Sequence, residues 1–306
     1  MLFPRGEHAN VSHDGKIYVL GGISNHTTGP TQVEAYDPAT DRWTEESALP
    51  AGRYRHHFTA GASLYNGIDG PEIWICGGKE GAKNAGVDWV DVYNLAAKTW
   101  RKGPSLPQPH WAGPAVVVGD KLHVLSGGKG RHKAEDHHFV LDLTDENAGW
   151  TNAAPVPEGR VHAAAVSVDG KIFLIGGEVA HAHTGDTTTV QVYDPSTDVW
   201  TSDCAALPEP RSHHEWATFA HDGRIISVSG VDSSQDPRAQ NSIYSYDPKV
   251  NQWTRLADLP AKLASPGAKV VDGNLYVFGG GVNDWFDGPM NTVWSRPLSD
   301  LVAAGR

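Results

Sequence analysis

Residues 169–200, DGKIFLIGGEVAHAHTGDTTTVQVYDPSTDVW, contain the unit from which the whole chain is built. The unit starts with an Asp-Gly turn, continues as an apolar run that ends at Gly176-Gly177, and then has a polar loop. An alternating run with Tyr193 follows, and an Asp-Pro turn leads to Trp200. Asp-Gly is typical of two-residue hairpin turns, because the turn needs positive φ at both central residues. The unit therefore predicts short antiparallel strands.

The same unit recurs six times along the 306 residues. The second glycine of each pair is read as Gly22, Gly78, Gly128, Gly177, Gly230 and Gly280, and only the fifth copy has serine before it, as Ser229. A tryptophan follows in the first five copies, as Trp43, Trp100, Trp150, Trp200 and Trp253, and Leu301 holds that place in the sixth. Each copy is predicted to form four short strands. A four-stranded sheet of this size cannot bury both of its faces alone, so the pattern predicts sheets packed around a common axis.

The chain resembles the kelch-repeat family in three features of these copies. They are the strand that ends in Gly-Gly, the tyrosine before Asp-Pro, and the tryptophan about seven residues later. The resemblance implies an all-β, six-bladed β-propeller in one domain, with four antiparallel strands in each blade. The expected blades are residues 1–48, 49–105, 106–155, 156–206, 207–258 and 259–306. The repeat register places both chain ends between blades 6 and 1, with a last strand near Asp300–Ala303 and closure by packing alone.

The overall composition limits the classes of partner. A net charge of −11 argues against non-specific binding to nucleic acid or to anionic membranes. No stretch approaches the roughly 18 apolar residues of a membrane helix. The first residues lack the pattern of a signal peptide, so we expect a cytoplasmic protein. Cys76 and Cys204 are too few for a disulfide framework.

Basic side chains follow the Leu-Pro or Val-Pro turns that join one repeat to the next. We letter the four predicted strands of each repeat a to d in chain order, so these turns are the d–a connections. The alternation of strand direction puts them on the same face as the variable b–c loops. The predicted ligand-binding funnel on that face consists of Arg5, Arg53, His56, His110, Arg160, His162, Arg211, His213 and Trp285. Arginine binds carboxylates with two parallel hydrogen bonds, which predicts an acidic ligand. The alternative, that backbone carbonyls of the scaffold satisfy these side chains, stays open.

The histidines suggest a second kind of site. Imidazole is a ligand for zinc, iron and copper, and the metal-binding candidates are His110, His162, His181 and His183. Candidate catalytic groups are His162, His213 and Glu215. The sequence requires no cofactor, and the cofactor that these residues could bind is a divalent metal ion.

Two functions follow from these residues. The first is a recognition module that binds an acidic protein segment or a small polar or carbohydrate ligand. The second is a small enzyme, related in type to a mutarotase or isomerase or dependent on a metal, in which a funnel histidine acts as acid and base. Six-bladed sialic acid mutarotases exist in the kelch family, but the ExxxDxxxH iron motif of its specifier proteins does not occur here. The sequence leaves enzyme or binding module undecided.

Overall fold

The computed structural model describes residues 1–24, 29–57, 63–67, 69–80, 85–129, 133–180, 184–282 and 288–304. Within these ranges the chain is nearly all β and forms seven antiparallel sheets, six larger and one small. Each of the larger sheets is built from one continuous part of the chain, which confirms that every repeat is one structural unit.

The first three larger sheets come from the first half of the chain. Sheet 1 contains β1 (Ala9–His13), β2 (Lys16–Leu20), β3 (Gln32–Asp37) and β4 (Arg42–Ala48). The next strands are β5 (Arg55–His56), β6 (Ser63–Gly67), β7 (Gly70–Cys76), β8 (Lys79–Glu80), β9 (Ala85–Gly86), β10 (Val90–Asn94) and β11 (Thr99–Lys102). Of these, β6, β7, β10 and β11 form sheet 2, and β5, β8 and β9 form the small sheet. Sheet 3 contains β12 (Ala115–Val118), β13 (Lys121–Leu125), β14 (His138–Asp142) and β15 (Thr151–Asn152), with a 3-10 turn at Glu146–Ala148.

The other three come from the second half. Sheet 4 contains β16 (Ala164–Val168), β17 (Lys171–Ile175), β18 (Val190–Asp194) and β19 (Val199–Thr201). Sheet 5 contains β20 (Thr218–His221), β21 (Arg224–Val228), β22 (Ile243–Asp247) and β23 (Gln252–Arg255), preceded by a 3-10 turn at Glu215–Ala217. Sheet 6 contains β24 (Gly267–Val271), β25 (Asn274–Phe278) and β26 (Val293–Pro297), followed by helix α1 (Leu298–Ala304).

The larger sheets follow one another around an axis and the last packs against the first. The inner strands β6, β12, β16, β20 and β24 contact one another in this order, and β24 of sheet 6 contacts β1 of sheet 1. Apolar clusters fill each space between neighbouring sheets, including one that joins Phe278 of sheet 6 to Tyr36 of sheet 1. This arrangement is the β-propeller that the repeats predict.

The repeat tryptophan is a packing residue between sheets. Trp100 packs in the cluster between sheets 1 and 2, and Trp200 packs in the one between sheets 3 and 4. Leu301 takes this role between sheets 5 and 6, where it is fully buried. The predicted strand at Asp300–Ala303 is wrong, because helix α1 carries Leu301 into the cluster and sheet 6 has three strands.

The paired glycines have a left-handed backbone and lie where a side chain would clash. Gly177 has φ +92°, and a Cβ there would lie 2.7 Å from the Cβ of Ala163. In the third copy the residues with this geometry are Ser126 (φ 54°) and Gly127 (φ 83°), so the assignment of Gly128 to the pair is wrong by one residue. Gly127 donates its N–H to the carbonyl of Arg160, as Gly177 does to that of Arg211.

Candidate functional site on the propeller axis

Four arginines at the start of the repeats are fully buried and bonded to their own sheets. Guanidinium nitrogens donate to carbonyls in four pairs: Arg5 to Gly21 (2.7 Å), Arg55 to Gly77 (2.6 Å), Arg160 to Gly176 (2.8 Å) and Arg211 to Ser227 (3.2 Å). Arg5 also pairs with the buried carboxylate of Glu34. These contacts favour the scaffold alternative that the sequence left open, and ligand binding by the arginines stays a prediction.

The second repeat uses a different arginine from the one predicted. Arg55, not Arg53, makes the contact equivalent to that of Arg160, because Arg55 is the fully buried residue that binds the paired glycine. Arg53 lies further out, 2.7 Å from Asp91 and over the ring of Trp89. In the third repeat, His110 has the equivalent place and its Nδ1 lies 2.8 Å from Nε2 of His137.

The residue two positions after each of these side chains faces the axis, and so does the residue two positions after Leu263, which has the equivalent place in the sixth repeat. All six have left-handed φ between 48° and 54°, which turns the chain into its innermost strand: Glu7, His57, Ala112, His162, His213 and Ser265. We call these residues the axial ring. Its four large side chains, Glu7, His57, His162 and His213, are at most 4% exposed.

The four large members of the axial ring contact one another. Nδ1 of His57 lies 2.9 Å from Oε2 of Glu7, and Nε2 of His213 lies 3.9 Å from Oε1 of the same carboxylate. The rings of His162 and His213 stack with their centroids 3.7 Å apart. One carboxylate therefore faces histidines from sheets on both sides of the axis.

Glu215 reaches this cluster because the fifth repeat is longer. It has two more residues between Arg211 and Gly230 than the fourth has between Arg160 and Gly177. The extra residues form the 3-10 turn Glu215–Ala217. The turn places Oε1 of Glu215 2.9 Å from Nδ1 of His162.

Burial dominates the electrostatics of the cluster. It raises the pKa of Glu7 to about 8, with Glu178 adding to the rise and Lys79 opposing it. Burial also raises the pKa of Glu215 well above its usual range. It lowers the pKa of Lys79 to about 8, whereas Glu7 opposes that change. The ammonium of Lys79 lies 3.8 Å from the ring centroid of the buried Trp111.

An axial cavity of about 360 Å³ lies next to the cluster. Its wall comes from the innermost strands of the six larger sheets, with Glu215 and Trp216 at the end nearest the axial ring. From there it extends along these strands toward the a–b turns, so it lies nearer to the face opposite the predicted funnel. Lys269 lines it beside Phe219, and burial lowers the pKa of Lys269 to about 7.

The remaining predicted residues have mixed outcomes. His56 is buried, its Nδ1 lies 2.5 Å from that of His57, and burial next to Lys79 lowers its pKa to about 4. Trp111 and Trp216 are both 1% exposed and are core residues. His181, His183 and Trp285 lie outside the described residues.

Sequence reasoning missed two acidic members of the cluster. Glu7 belongs to the axial ring, and Glu178 lies 3.6 Å from Nδ1 of His213. The signal for Glu7 was its position two residues after Arg5, which matches that of His162 after Arg160. His110 and His162 are both predicted metal-binding residues, but among the described residues His162 lies close to Glu7 and His213.

Comparison with known proteins agrees with this architecture. The family model described as the KLHDC2/KLHL20/DRC7 kelch-repeats domain matches residues 66–280, and a kelch motif model matches residues 4–50. The chain belongs to the kelch-repeat family. No helix in the described ranges is long and apolar enough to cross a membrane.

Several curated kelch proteins are similar to this chain. Kelch-like protein 35 of Mus musculus is 28% identical over 250 residues, which are 81% of this chain and 38% of that protein. Kelch-like protein 23 of Homo sapiens is 23% identical over 279 residues, 91% of this chain and 46% of the relative. Kelch-like protein terF of Aspergillus terreus is 33% identical over 248 residues, which are 73% of this chain and 49% of that protein. The chain thus spans about half the length of these relatives, or less.

Proposed function

We propose that this chain is a kelch recognition module that binds an acidic segment of a partner protein in its axial cavity. The kelch-like relatives support a protein-binding role. The six larger sheets support six blades, with the boundaries expected from the repeats. The cavity is within the usual size range of ligand sites, roughly 300–1,000 Å³.

The position of Lys269 carries this proposal. Its Nζ donates to the carbonyl of Ala268 at 3.1 Å, and no carboxylate of the described residues pairs with it within 4 Å. A lysine in a cavity lined by valine, alanine and phenylalanine is costly to keep charged. A carboxylate from a ligand would supply the missing counter-charge. Ser12, Ser167 and Thr218 line the same cavity and offer hydroxyl groups for further hydrogen bonds.

This location differs from the predicted funnel. There the arginines donate to backbone carbonyls, and the axial histidines are buried. A ligand at the arginines would have to break scaffold contacts, whereas a ligand in the cavity breaks none of them.

A peptide array tests the proposal. Twelve-residue peptides with and without aspartate or glutamate are probed with the purified chain, and the affinity of the best acidic peptide is then measured by calorimetry. Lys269→Met should weaken that affinity at least tenfold, because it removes the charge but keeps an apolar stem. Lys171→Met is the matched control, since Lys171 is half-exposed and pairs with Asp194 on the outer part of sheet 4.

Selection of neutral peptides, or equal affinity of the two lysine variants, would contradict the proposal. Binding of small acidic metabolites without any peptide would keep the cavity as the site but replace the protein segment as its occupant.

A second function is supported by Glu215. Its carboxyl group lines the cavity, its pKa is raised by burial, and it contacts His162. A buried carboxyl group whose pKa is raised keeps its proton to higher pH and can act as a general acid for proton transfer. We therefore propose, as the alternative, an enzyme that moves protons on a small polar ligand such as a sugar.

Polarimetry on a panel of reducing sugars tests this alternative. Faster mutarotation with the wild-type chain than with Glu215→Gln would support it, provided that both proteins unfold at the same temperature. Equal rates for the wild type, the variant and a protein-free control on every sugar would exclude the mutarotase activity.

A further inference from the structure

We propose that Glu7, His162 and His213 bind one divalent transition-metal ion on the propeller axis. This inference is independent of acidic-segment binding in the cavity, because it concerns different side chains. It also replaces the metal-binding set expected from the sequence, of which His162 alone remains.

The three ligand atoms already lie close together. One atom from each of Glu7, His162 and His213 lies within 4.8 Å of the others. Ligand atoms at about 2.1 Å from a tetrahedral zinc ion are about 3.4 Å apart. Small side-chain rotations would therefore bring these three atoms around one ion. They come from the ends of rigid inner strands, so the backbone need not move.

Each of the three side chains is held by a second group. His57 contacts Oε2 of Glu7 at 2.9 Å, and Glu215 contacts Nδ1 of His162 at 2.9 Å. Nδ1 of His213 lies 2.9 Å from the hydroxyl of Ser212. These partners orient the Nε2 atoms as ligands, as second groups do in known metal sites.

The buried acidic side chains around the three ligand atoms favour the binding of a cation. Glu7, Glu178 and Glu215 are at most 4% exposed, and Lys79 is the ammonium group that lowers the pKa of Glu7. Oε1 of Glu7 and Oε2 of Glu215 are buried without a hydrogen-bond partner among the described residues. Burying a carboxylate without compensation costs several kcal/mol, roughly. A divalent ion bound by Glu7 would compensate the charge of that carboxylate.

The ligand set selects the class of metal. Imidazole and carboxylate ligands suit Zn²⁺, Fe²⁺ and Co²⁺, whereas Mg²⁺ and Ca²⁺ prefer oxygen ligands alone. Three protein ligands are fewer than the four of a closed structural zinc site, so the ion would keep a position for another ligand.

Cobalt titration tests the site in the full chain. The protein is dialysed against a chelator and then titrated with Co²⁺, whose visible absorption depends on its ligands. We expect one equivalent to bind to the wild type, and His213→Gln and Glu7→Gln to weaken that binding at least 100-fold. Glu215→Gln should weaken it about 10- to 100-fold, as loss of an orienting partner does.

His138→Gln is the matched control. His138 is 1% exposed and its Nε2 lies 2.9 Å from Nδ1 of His123, so it is a buried, paired histidine far from the axial ring in the fold. This variant should bind Co²⁺ as the wild type does. Less than about half an equivalent bound by the wild type, or equal loss in the His138 and His213 variants, would overturn the proposal. If Glu7→Gln does not fold, His162→Gln takes its place. We expect Co²⁺ to raise the unfolding temperature of the wild type and to leave that of His162→Gln unchanged.

Discussion

Arg160 provides the sharpest test of the scaffold role of the repeat arginines. Its guanidinium donates to the carbonyls of Gly176 (2.8 Å) and Thr189 (2.9 Å) and to the side-chain oxygen of Gln191 (2.5 Å). Arg160→Met keeps the apolar stem and leaves three acceptors without this donor. At about 2 kcal/mol for each acceptor, the loss is about 6 kcal/mol. Burial lowers the pKa of Arg160 to about 10, which means that the buried charge destabilises the folded chain. Removing this charge therefore raises the free energy of unfolding by about 3 kcal/mol.

The net expectation is that Arg160→Met lowers the free energy of unfolding by about 3 kcal/mol. Guanidinium chloride denaturation followed by tryptophan fluorescence measures this change as a lower midpoint. The matched control is Arg224→Met, because Arg224 is half-exposed and pairs with Asp247 at 2.7 Å, a contact worth about 1 kcal/mol or less. Equal midpoints for both variants would refute the reasoning. So would lost ligand binding by Arg160→Met with full stability, because that result would restore the predicted funnel.

Three further outcomes follow from individual side chains. Arg55→Met should destabilise the chain by about 3 kcal/mol, because the carbonyl of Gly77 and the carboxylate of Asp91 lose a fully buried donor. Arg53→Met, which removes the more exposed partner of the same carboxylate, should cost about 1 kcal/mol, and denaturation measures both changes. Gly177→Ala should lower the free energy of unfolding by about 3 kcal/mol, whereas Gly170→Ala, where no atom lies within 4 Å of a new Cβ, should cost about 1 kcal/mol; thermal unfolding separates the two. Affinity for an acidic peptide should fall as the pH rises through 7, since Lys269 has a pKa of about 7 and is charged only below it; calorimetry from pH 6 to 8 checks this.

The fold was readable from the sequence because its signals repeat. Six turns, glycine pairs and packing residues report the same unit, so an error in one copy does not change the architecture. The local errors have specific causes. Arg53 and Arg55 are two residues apart, and Ser126 precedes the pair Gly127-Gly128, so the register slipped by two residues at Arg53 and by one at Gly128. Helix α1 was missed because Leu301 is needed only as an apolar side chain between sheets, which either a strand or a helix can supply.

The site was only partly readable for a different reason. Arginine and histidine were found at the right connections, but their roles depend on which carbonyls and carboxylates surround them. The guanidinium of Arg160 donates to backbone oxygens, and no sequence pattern predicts which backbone oxygens lie near a side chain. Glu215 was suspected as a neighbour of His213, yet its importance comes from a two-residue insertion that turns it toward His162.

We place the chemistry of this propeller on its axis and not in its arginines, and anomalous diffraction tests that claim most directly. Crystals grown with Zn²⁺ are measured on both sides of the zinc absorption edge. We predict one anomalous peak on the axis, about 2.0–2.2 Å from an oxygen of Glu7 and from Nε2 of His162 and His213. A structure in which these side chains keep their contacts without such a peak, or in which zinc lies at His123 and His138 instead, would contradict it.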